Sequence, residues 1–161
     1  MAMSQLAREL KQTKPFPSPV QEAVLGIKRT AALLDLRLAE LLRPYGITPT
    51  QYNVLRILRG AGPAGLPRCE VQERLLAPVA DATRLLDRLE KAGFVVRTRS
   101  TEDRRVVTSK ITPRGLALLD TVAPPLRRLE ESEVGKISEA RLRRLIDVLD
   151  EVRRLTPCHR G

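Results

Sequence analysis

The stretch TRLLDRLEKAGFVVRTRSTEDRRVVTSKI, residues 83–111, changes its residue pattern halfway along its length. Its first part belongs to a segment, 80–92, in which apolar residues recur at helical spacing: Ala82, Leu85, Leu86 and Leu89. Gly93 follows as a helix-ending glycine. Two β-type segments, FVVRTR and RVVTSKI, then flank the charged tip STEDRR. The stretch predicts one amphipathic helix followed by a short β-hairpin.

A second, shorter helix is predicted immediately before this stretch. Residues 68–76 place three apolar side chains inward: Val71, Leu75 and Leu76. Pro78 then disfavours helix at the residue before it, so a tight break separates 68–76 from 80–92. Two short helices joined by a tight turn and followed by a hairpin predict a helix-turn-helix with a wing.

The segment TPTQYNVLRILRG, further towards the N-terminus, carries the start and stop signals of another helix. Thr48 is a capping residue, Pro49 suits the first helical position, and Gln51 stands where a capping box needs it. Gly60 is predicted to end this helix.

A long helix is predicted to precede these elements, after a polar, proline-rich arm at 1–19. Its apolar stripe has heptad-like spacing: Val20, Val24, Ile27, Ala31, Leu34, Leu38 and Leu41. Two interpretations remain: an oligomer contact, which is favoured, or a long core helix of a monomer.

Two more helices are predicted after the hairpin. Thr112-Pro113 repeats the cap-and-proline start, and four residues are expected inward: Leu116, Leu119, Val122 and Ala123. Pro124-Pro125 should kink or break this helix. Ser138 is predicted to cap the last helix, whose stripe is Leu142, Leu145, Leu149 and Val152. Residues 156–161 form a loose tail.

Composition limits the classes of function. The 161 residues are 42% hydrophobic but 2% aromatic, so the core is aliphatic, and the net charge of +10 favours a polyanionic partner over a mere solubility charge. No apolar run is long enough for a membrane span, and the N-terminus lacks a secretory leader. With two distant cysteines, Cys69 and Cys158, and a single histidine, His159, we expect neither metal nor cofactor, no enzyme activity, and a cytoplasmic location.

The helix over 80–92 has a polar face suited to DNA. Thr83, Arg84 and Arg88 lie on it, and Asp87 is expected to point directly away from the core beside Arg84. The alternative is an ordinary solvated helix, because the formal charge of 80–92 is zero: Arg84, Arg88 and Lys91 against Asp81, Asp87 and Glu90.

The hairpin tip favours the DNA interpretation. Arg104 and Arg105 on a projecting loop suit phosphates or a narrow minor groove. Asp103 can bond local backbone and hold an arginine in one direction. A charged edge hairpin that resists aggregation is the alternative.

Three segments, ITPTQYNVLRIL, TRLLDRLEKAGFVVR and STEDRRVVTSKITPRG, resemble the MarR family of winged helix-turn-helix regulators over about residues 20–155. The wing signature of that family is matched by Asp103 and Arg105, and its helix start by Thr112 and Gly115. The resemblance implies a mainly α fold with a small β-hairpin. A winged part at 48–112 would lie between dimerisation helices at 20–43 and 113–155.

The same resemblance implies a homodimeric repressor on a pseudo-palindromic double-stranded DNA site. Thr83, Arg84 and Arg88 would lie in the recognition helix, Arg105 would contact DNA with Arg104 assisting, and Asp103 would brace the wing. Members of the family commonly respond to small phenolic or anionic effectors.

Three residues are candidates for an effector cleft: Arg37 for an anion, and Tyr45 and Tyr52 for stacking or hydrogen bonding. The alternative for the two tyrosines is plain packing. For Cys69, a buried inert thiol is favoured over a reactive one. For the whole chain, a winged-helix module that binds protein remains the alternative function.

Overall fold

The computed structural model describes residues 3–99 and 106–156. Its helices are α1 Gln5–Glu9, α2 Pro19–Leu42, α3 Pro49–Ala61, α4 Arg68–Glu73, α5 Ala82–Lys91, α6 Pro113–Val134 and α7 Glu139–Leu155. Its strands are β1 Leu66–Pro67, β2 Val95–Arg99 and β3 Val107–Ile111. The prediction of a mainly helical chain with a small β-hairpin is confirmed. The chain divides into two compact units between Thr121 and Val122.

The core of the first unit is aliphatic, as an aromatic content of 2% requires. Its fully buried aliphatic side chains come from α2, α3, α4, α5, β2 and α6: Leu42, Val54, Leu55, Leu58, Val71, Leu86, Leu89, Val95 and Leu119. Burial of a Leu or Val side chain stabilises a fold by about 1.5–3 kcal/mol, so this set supplies most of the driving force that holds α3, α4 and α5 together.

Helix α3 begins as predicted and ends later than predicted. The Thr48 hydroxyl accepts from the Gln51 N–H at 3.2 Å, and the Gln51 side chain accepts from the Thr48 N–H at 2.9 Å, which completes the capping box. Gly60 lies inside the helix, so its prediction as the end was wrong. Gly62 ends the helix, because its φ of +68° is not helical. Glycine adopts this positive φ more readily than residues that carry a side chain.

The hairpin is part of a three-stranded antiparallel sheet with the order β1-β3-β2. Val95 pairs with Ile111 and Arg99 with Val107, while Leu66 of β1 pairs with Ser109. Strand β1 has no counterpart in the sequence pattern, because it is only two residues among glycines and prolines. On β3, Ser109 is the buried residue and Val107 is exposed.

The junction between α5, the hairpin and α6 is held by Thr112. Its hydroxyl donates to the Gly93 carbonyl at 2.7 Å and accepts from the Gly115 N–H at 3.1 Å. Gly93 has φ of +76°, as expected for a helix-ending glycine. A Cβ on Gly115 would lie 2.5 Å from the Phe94 carbonyl oxygen, so no larger residue fits there without movement. The Thr-x-x-Gly pattern thus joins the end of α5 to the start of α6.

Helix α6 continues through Pro124 and Pro125, so the predicted break does not occur. Each proline lacks an N–H, which removes two hydrogen bonds from the middle of the helix, next to the division between the two units. Of the residues predicted inward on α6, Leu119 and Val122 are buried and Ala123 is half-buried, but Leu116 is exposed. Helix α7 starts at its predicted cap, Ser138, and has no buried residue in the described chain.

The N-terminal arm contains a helix that the sequence pattern did not predict. Ser4 caps α1 by accepting from the Ala7 N–H at 3.2 Å, and Ala7 is buried. Glu9 lies 3.9 Å from Arg29 of α2, so α1 packs along the first half of that helix.

Candidate DNA interface

Helices α4 and α5 form the predicted helix pair, with α5 as the candidate recognition helix. The Asp81 carboxylate caps α5 by accepting from the Arg84 N–H at 2.9 Å. The turn between the helices is tied to α3, because the Asn53 side chain accepts from the Leu76 N–H at 2.9 Å. Leu76 was expected to point inward, but its relative exposure is 90% because α4 already ends at Glu73.

The face of α5 opposite its buried residues carries the three predicted contact residues. Thr83, Arg84 and Arg88 are exposed, whereas Ala82, Leu86 and Leu89 are buried. The Arg84 Nε lies 3.5 Å from Asp81 Oδ2, yet the Arg84 side chain remains mostly exposed. The helix therefore exposes one threonine and two arginines on one face, while its opposite face is packed in the core.

An open groove lies on each side of α5. The groove towards the hairpin has a volume of about 420 Å³ and is lined in part by Thr83, Arg97 and Val107. The groove towards α3 has a volume of about 280 Å³ and is lined in part by Thr48, Arg84 and Arg88. Neither groove is lined by residues of α2, so neither corresponds to the expected effector cleft.

Asp87 departs from its expected position beside Arg84. Its carboxylate pairs with Arg97 of β2, with 2.6 Å between Oδ1 and Nη2. Glu90 joins the same guanidinium: its Oε2 lies 2.8 Å from Nε and 2.7 Å from Nη2 of Arg97. Glu90 Oε1 also accepts from the Arg97 backbone N–H at 3.0 Å. Two acids of the recognition helix are thus bound to one arginine of the wing.

This cluster shifts two pKa values. The side-chain hydrogen bond from Arg97 is the main cause that lowers the pKa of Glu90 below its ordinary 4.5, against a smaller opposing effect of burial. The same hydrogen bond is the main cause that raises the pKa of Arg97. Both groups are charged at neutral pH.

The predicted wing residues Asp103, Arg104 and Arg105 lie outside the described residues. The described strands bracket them, since β2 ends at Arg99 and β3 begins at Val107. Arg97 is not among the residues that the sequence pattern singles out. Its spacing of seven residues from Glu90 across a glycine turn has no simple period, so only the folded hairpin reveals the contact.

The three effector candidates are spread over different environments. Tyr52 is buried in α3, which favours its packing alternative. Tyr45 is half-buried in the turn after α2, and Arg37 is exposed on α2. Cys69 was expected to be buried, but it is exposed at the start of α4.

Two features are absent from the described parts of the chain. No cluster of three or more acidic, histidine or cysteine side chains suited to a metal ion occurs there. No described helix combines the length and apolarity needed to cross a bilayer.

A helix pair with an exposed basic face on its second helix, followed by an antiparallel hairpin, defines a winged helix-turn-helix protein. This is a class of DNA-binding proteins, and the solvent face of α5 is the surface that such proteins direct at DNA.

Comparison with known proteins narrows this class. Residues 47–107 match the family model described as the MarR family. The chain is 36% identical to the MarR transcription factor from Planctomyces limnophilus, with a TM-score of 0.65 and with 84% of this chain and 98% of that chain covered. The chain therefore belongs to the MarR family of DNA-binding transcriptional regulators, and it is a regulator and not an enzyme.

Two further proteins are similar to this chain, one over about half of its length and one in its fold. The chain is 34% identical over 82 residues to the uncharacterized HTH-type transcriptional regulator YkoM from Bacillus subtilis. That match covers 51% of this chain and 52% of YkoM, about half of each. The structure of the S. aureus MepR–DNA complex has a TM-score of 0.72 at 19% identity, with 78% of this chain and 92% of that chain covered, and shows likeness of fold alone.

Proposed function

We propose that this regulator is a homodimeric repressor that binds a pseudo-palindromic operator and is released by a small molecule. One observation carries the proposal: Thr83, Arg84 and Arg88 are exposed together on a helix whose other face is buried, directly before a basic hairpin. A dimer would present two such helices, which matches the symmetry of a palindromic site.

In the proposed complex, α5 enters the major groove. Arg84 and Arg88 are long enough to bond guanine O6 and N7 bidentately, and Thr83 suits a phosphate or a thymine methyl group. Arg105 enters the flanking minor groove, with Arg104 beside it and Asp103 as its brace. The MepR–DNA complex supports DNA as the partner of this fold.

The proposed dimer interface is formed by α2 and α7. Each helix exposes a set of apolar side chains: Val20, Val24, Ile27, Leu33, Leu34 and Leu36 on α2, and Leu145, Ile146, Val148, Val152 and Leu155 on α7. Apolar patches of this extent on a small regulator indicate a protein interface. These helices belong to the proposed dimerisation segments, 20–43 and 113–155, of a single domain over 20–155.

The proposed effector is a small phenolic or anionic molecule of the cytoplasm. Arg37 and Tyr45, which are not fully buried, would contact it, and Tyr52 would pack behind them. Binding would favour a dimer geometry that does not fit the operator. A thermal-shift screen with small aromatic acids and phenols tests this step, because a ligand that prefers the folded state raises Tm. If none of the compounds that raise Tm releases the operator, this step is contradicted.

Operator binding is tested by selection of duplexes from a random pool, followed by fluorescence anisotropy at about 150 mM salt, where non-specific binding is weak. We expect enrichment of an inverted repeat. Arg84→Ala or Arg88→Ala should each weaken binding by about 1–3 kcal/mol and relax the preference at one base pair per half-site.

Arg127→Ala is a control for loss of charge alone, because it removes the same charge from an exposed position on α6, and sedimentation velocity checks that this variant keeps the oligomeric state of the wild type. Equal losses for Arg127→Ala and the α5 variants would contradict base reading by α5. A pool without enrichment would favour the alternative function, a winged-helix module that binds protein.

A further inference from the structure

The contact between Arg97 and the recognition helix joins two elements that DNA must meet at once. Arg97 lies at the middle of β2, and its side chain is 28% exposed. Its guanidinium and its backbone N–H together form four contacts of 2.6–3.0 Å with Asp87 and Glu90. The two guanidinium nitrogens that contact these carboxylates, Nε and Nη2, are called the fork below. The Arg97 backbone N–H adds a hydrogen bond to Glu90.

The same contact changes the charge that α5 presents. The acids of residues 81–91 are Asp81, which caps the helix, and Asp87 and Glu90, which Arg97 binds. In the described parts of the chain, Arg88 and Lys91 form no ion pair. Although the formal charge of the helix is zero, its charged side chains are therefore unevenly distributed. The acids face the wing and the cap, while the cations face solvent.

We propose that Arg97 is a positioning residue for DNA recognition, which ties the wing to the recognition helix so that both engage DNA as one unit. This inference rests on the proposed function. It assigns Arg97 two effects: it sets the direction in which the hairpin leaves α5, and it keeps two carboxylates away from phosphates.

The position of Arg97 explains why the first effect is large. Arg97 is two residues before the end of β2, and a strand rises about 3.3 Å per residue. Residues 100–105, which hold the proposed minor-groove contacts, continue from this strand. A rotation of β2 at Arg97 would therefore displace the chain that follows Arg99.

Three variants separate the two effects. Arg97→Met removes the fork but keeps an aliphatic side chain. Arg97→Lys keeps the charge but cannot form the fork. A triple variant, Asp87→Asn with Glu90→Gln and Arg97→Met, removes the carboxylate charges together with the fork. Arg59→Met is the control, because Arg59 pairs with Asp120 of α6 and lies outside α5, the hairpin and the proposed interface helices α2 and α7.

The main readout is a double-mutant cycle between Arg84→Ala and Arg105→Ala, measured as operator affinity in each background. In the wild-type background we expect the two losses to be non-additive, with a coupling of about fivefold or more. In Arg97→Met, Arg97→Lys and the triple variant the coupling should vanish, while Arg59→Met keeps it. A merely stabilising role for Arg97 would lower Tm and leave the coupling intact.

Operator affinity itself tests the second effect. Arg97→Met should bind at least about fivefold more weakly than wild type, and the triple variant should recover part of that loss because no uncompensated acid remains. Additive losses in wild type, persistent coupling in Arg97→Met, or triple-variant binding no better than that of Arg97→Met would each overturn the proposal. If Arg97→Met fails to fold, Arg97→Lys and Glu90→Gln decide between these outcomes.

Failure of the proposed function is distinguishable from failure of this inference. In the former case the wild-type protein enriches no operator from the random pool. In the latter case wild type binds its operator and the variants of Arg97 retain full coupling.

Discussion

Gly115 shows at the scale of one residue why part of the family pattern is a packing requirement. The space where its Cβ would stand is filled by the Phe94 carbonyl oxygen at 2.5 Å and by Ile111 Cγ1 at 2.7 Å. Thr112 holds the same turn by hydrogen bonds on both sides. The close approach of α6 to the strands therefore depends on the absence of a side chain.

We expect Gly115→Ala to lower the free energy of unfolding by about 1–3 kcal/mol, because the new methyl group meets backbone that cannot easily move. Urea unfolding followed by circular dichroism measures this loss. Gly60→Ala is the control: apart from its chain neighbours and the backbone of its own helix, no atom of the described chain lies within 4 Å of its added Cβ, and Gly60 is helical. That variant should be neutral or more stable by up to about 1 kcal/mol. An equally large loss in both variants would contradict the packing argument.

Glu90 links the wing to pH. Its folded-state pKa lies below its ordinary value of 4.5, so its pair with Arg97 contributes stability that is fully present above that pH. The contribution disappears as the pH falls through the folded-state pKa, when the carboxylate takes up its proton.

Glu90→Gln should therefore have a lower Tm than wild type at neutral pH, and the difference should shrink in acid below about the ordinary pKa of the carboxyl group. Thermal unfolding across this range measures it. Glu70→Gln, which removes an exposed pair within α4, is the matched control and should show a smaller difference. A Tm difference that is constant with pH would rule out the pair as its cause.

Helix starts and helix ends behaved differently at the scale of the element. Capping uses residues within one turn of each other, so Thr48, Thr112 and Ser138 could be recognised from local sequence. The end of α3 depended on which of two nearby glycines adopts a positive φ, and in the fold this is Gly62 and not Gly60. Strand β1 likewise exists only because β3 lies beside it.

Thr48→Ala should destabilise the fold by about 1 kcal/mol, because it removes the hydroxyl that accepts from the Gln51 N–H. Ser138→Ala is the matched control, since the Ser138 side chain forms no capping hydrogen bond in the described chain. Chemical unfolding of both variants tests the difference. A loss for Ser138→Ala as large as that for Thr48→Ala would show that the capping bond is not responsible.

The distribution of apolar surface is decided at the scale of the whole molecule. The sequence showed the stripe on α2 but left two interpretations open, a monomer core and an oligomer contact. In the structure most of the stripe is exposed on a chain that already has a closed core in its first unit. That exposure favours the oligomer contact, because leucine and valine side chains that stay in water along one helix do not stabilise a monomer.

We expect the double variant Val24→Glu with Leu36→Glu to convert a dimer into a monomer and to abolish operator binding, because it places charges in the proposed interface. Sedimentation velocity measures the oligomeric state. Leu76→Glu is the control, because Leu76 is the most exposed large apolar residue and lies in the turn between α4 and α5. Dissociation by Leu76→Glu alone, or a persistent dimer in the double variant, would contradict the interface.

Local features of the sequence determined most of the helices, their caps, the hairpin and the exposed residues of α5. These features act within one or two turns of chain, where residue type and spacing decide the conformation. Tertiary structure alone decided that Asp87 and Glu90 bind Arg97, that Cys69 and Leu76 are exposed, and that β1 completes the sheet. Each of these depends on contacts between elements, whose free energy is gained only once the chain has brought them together.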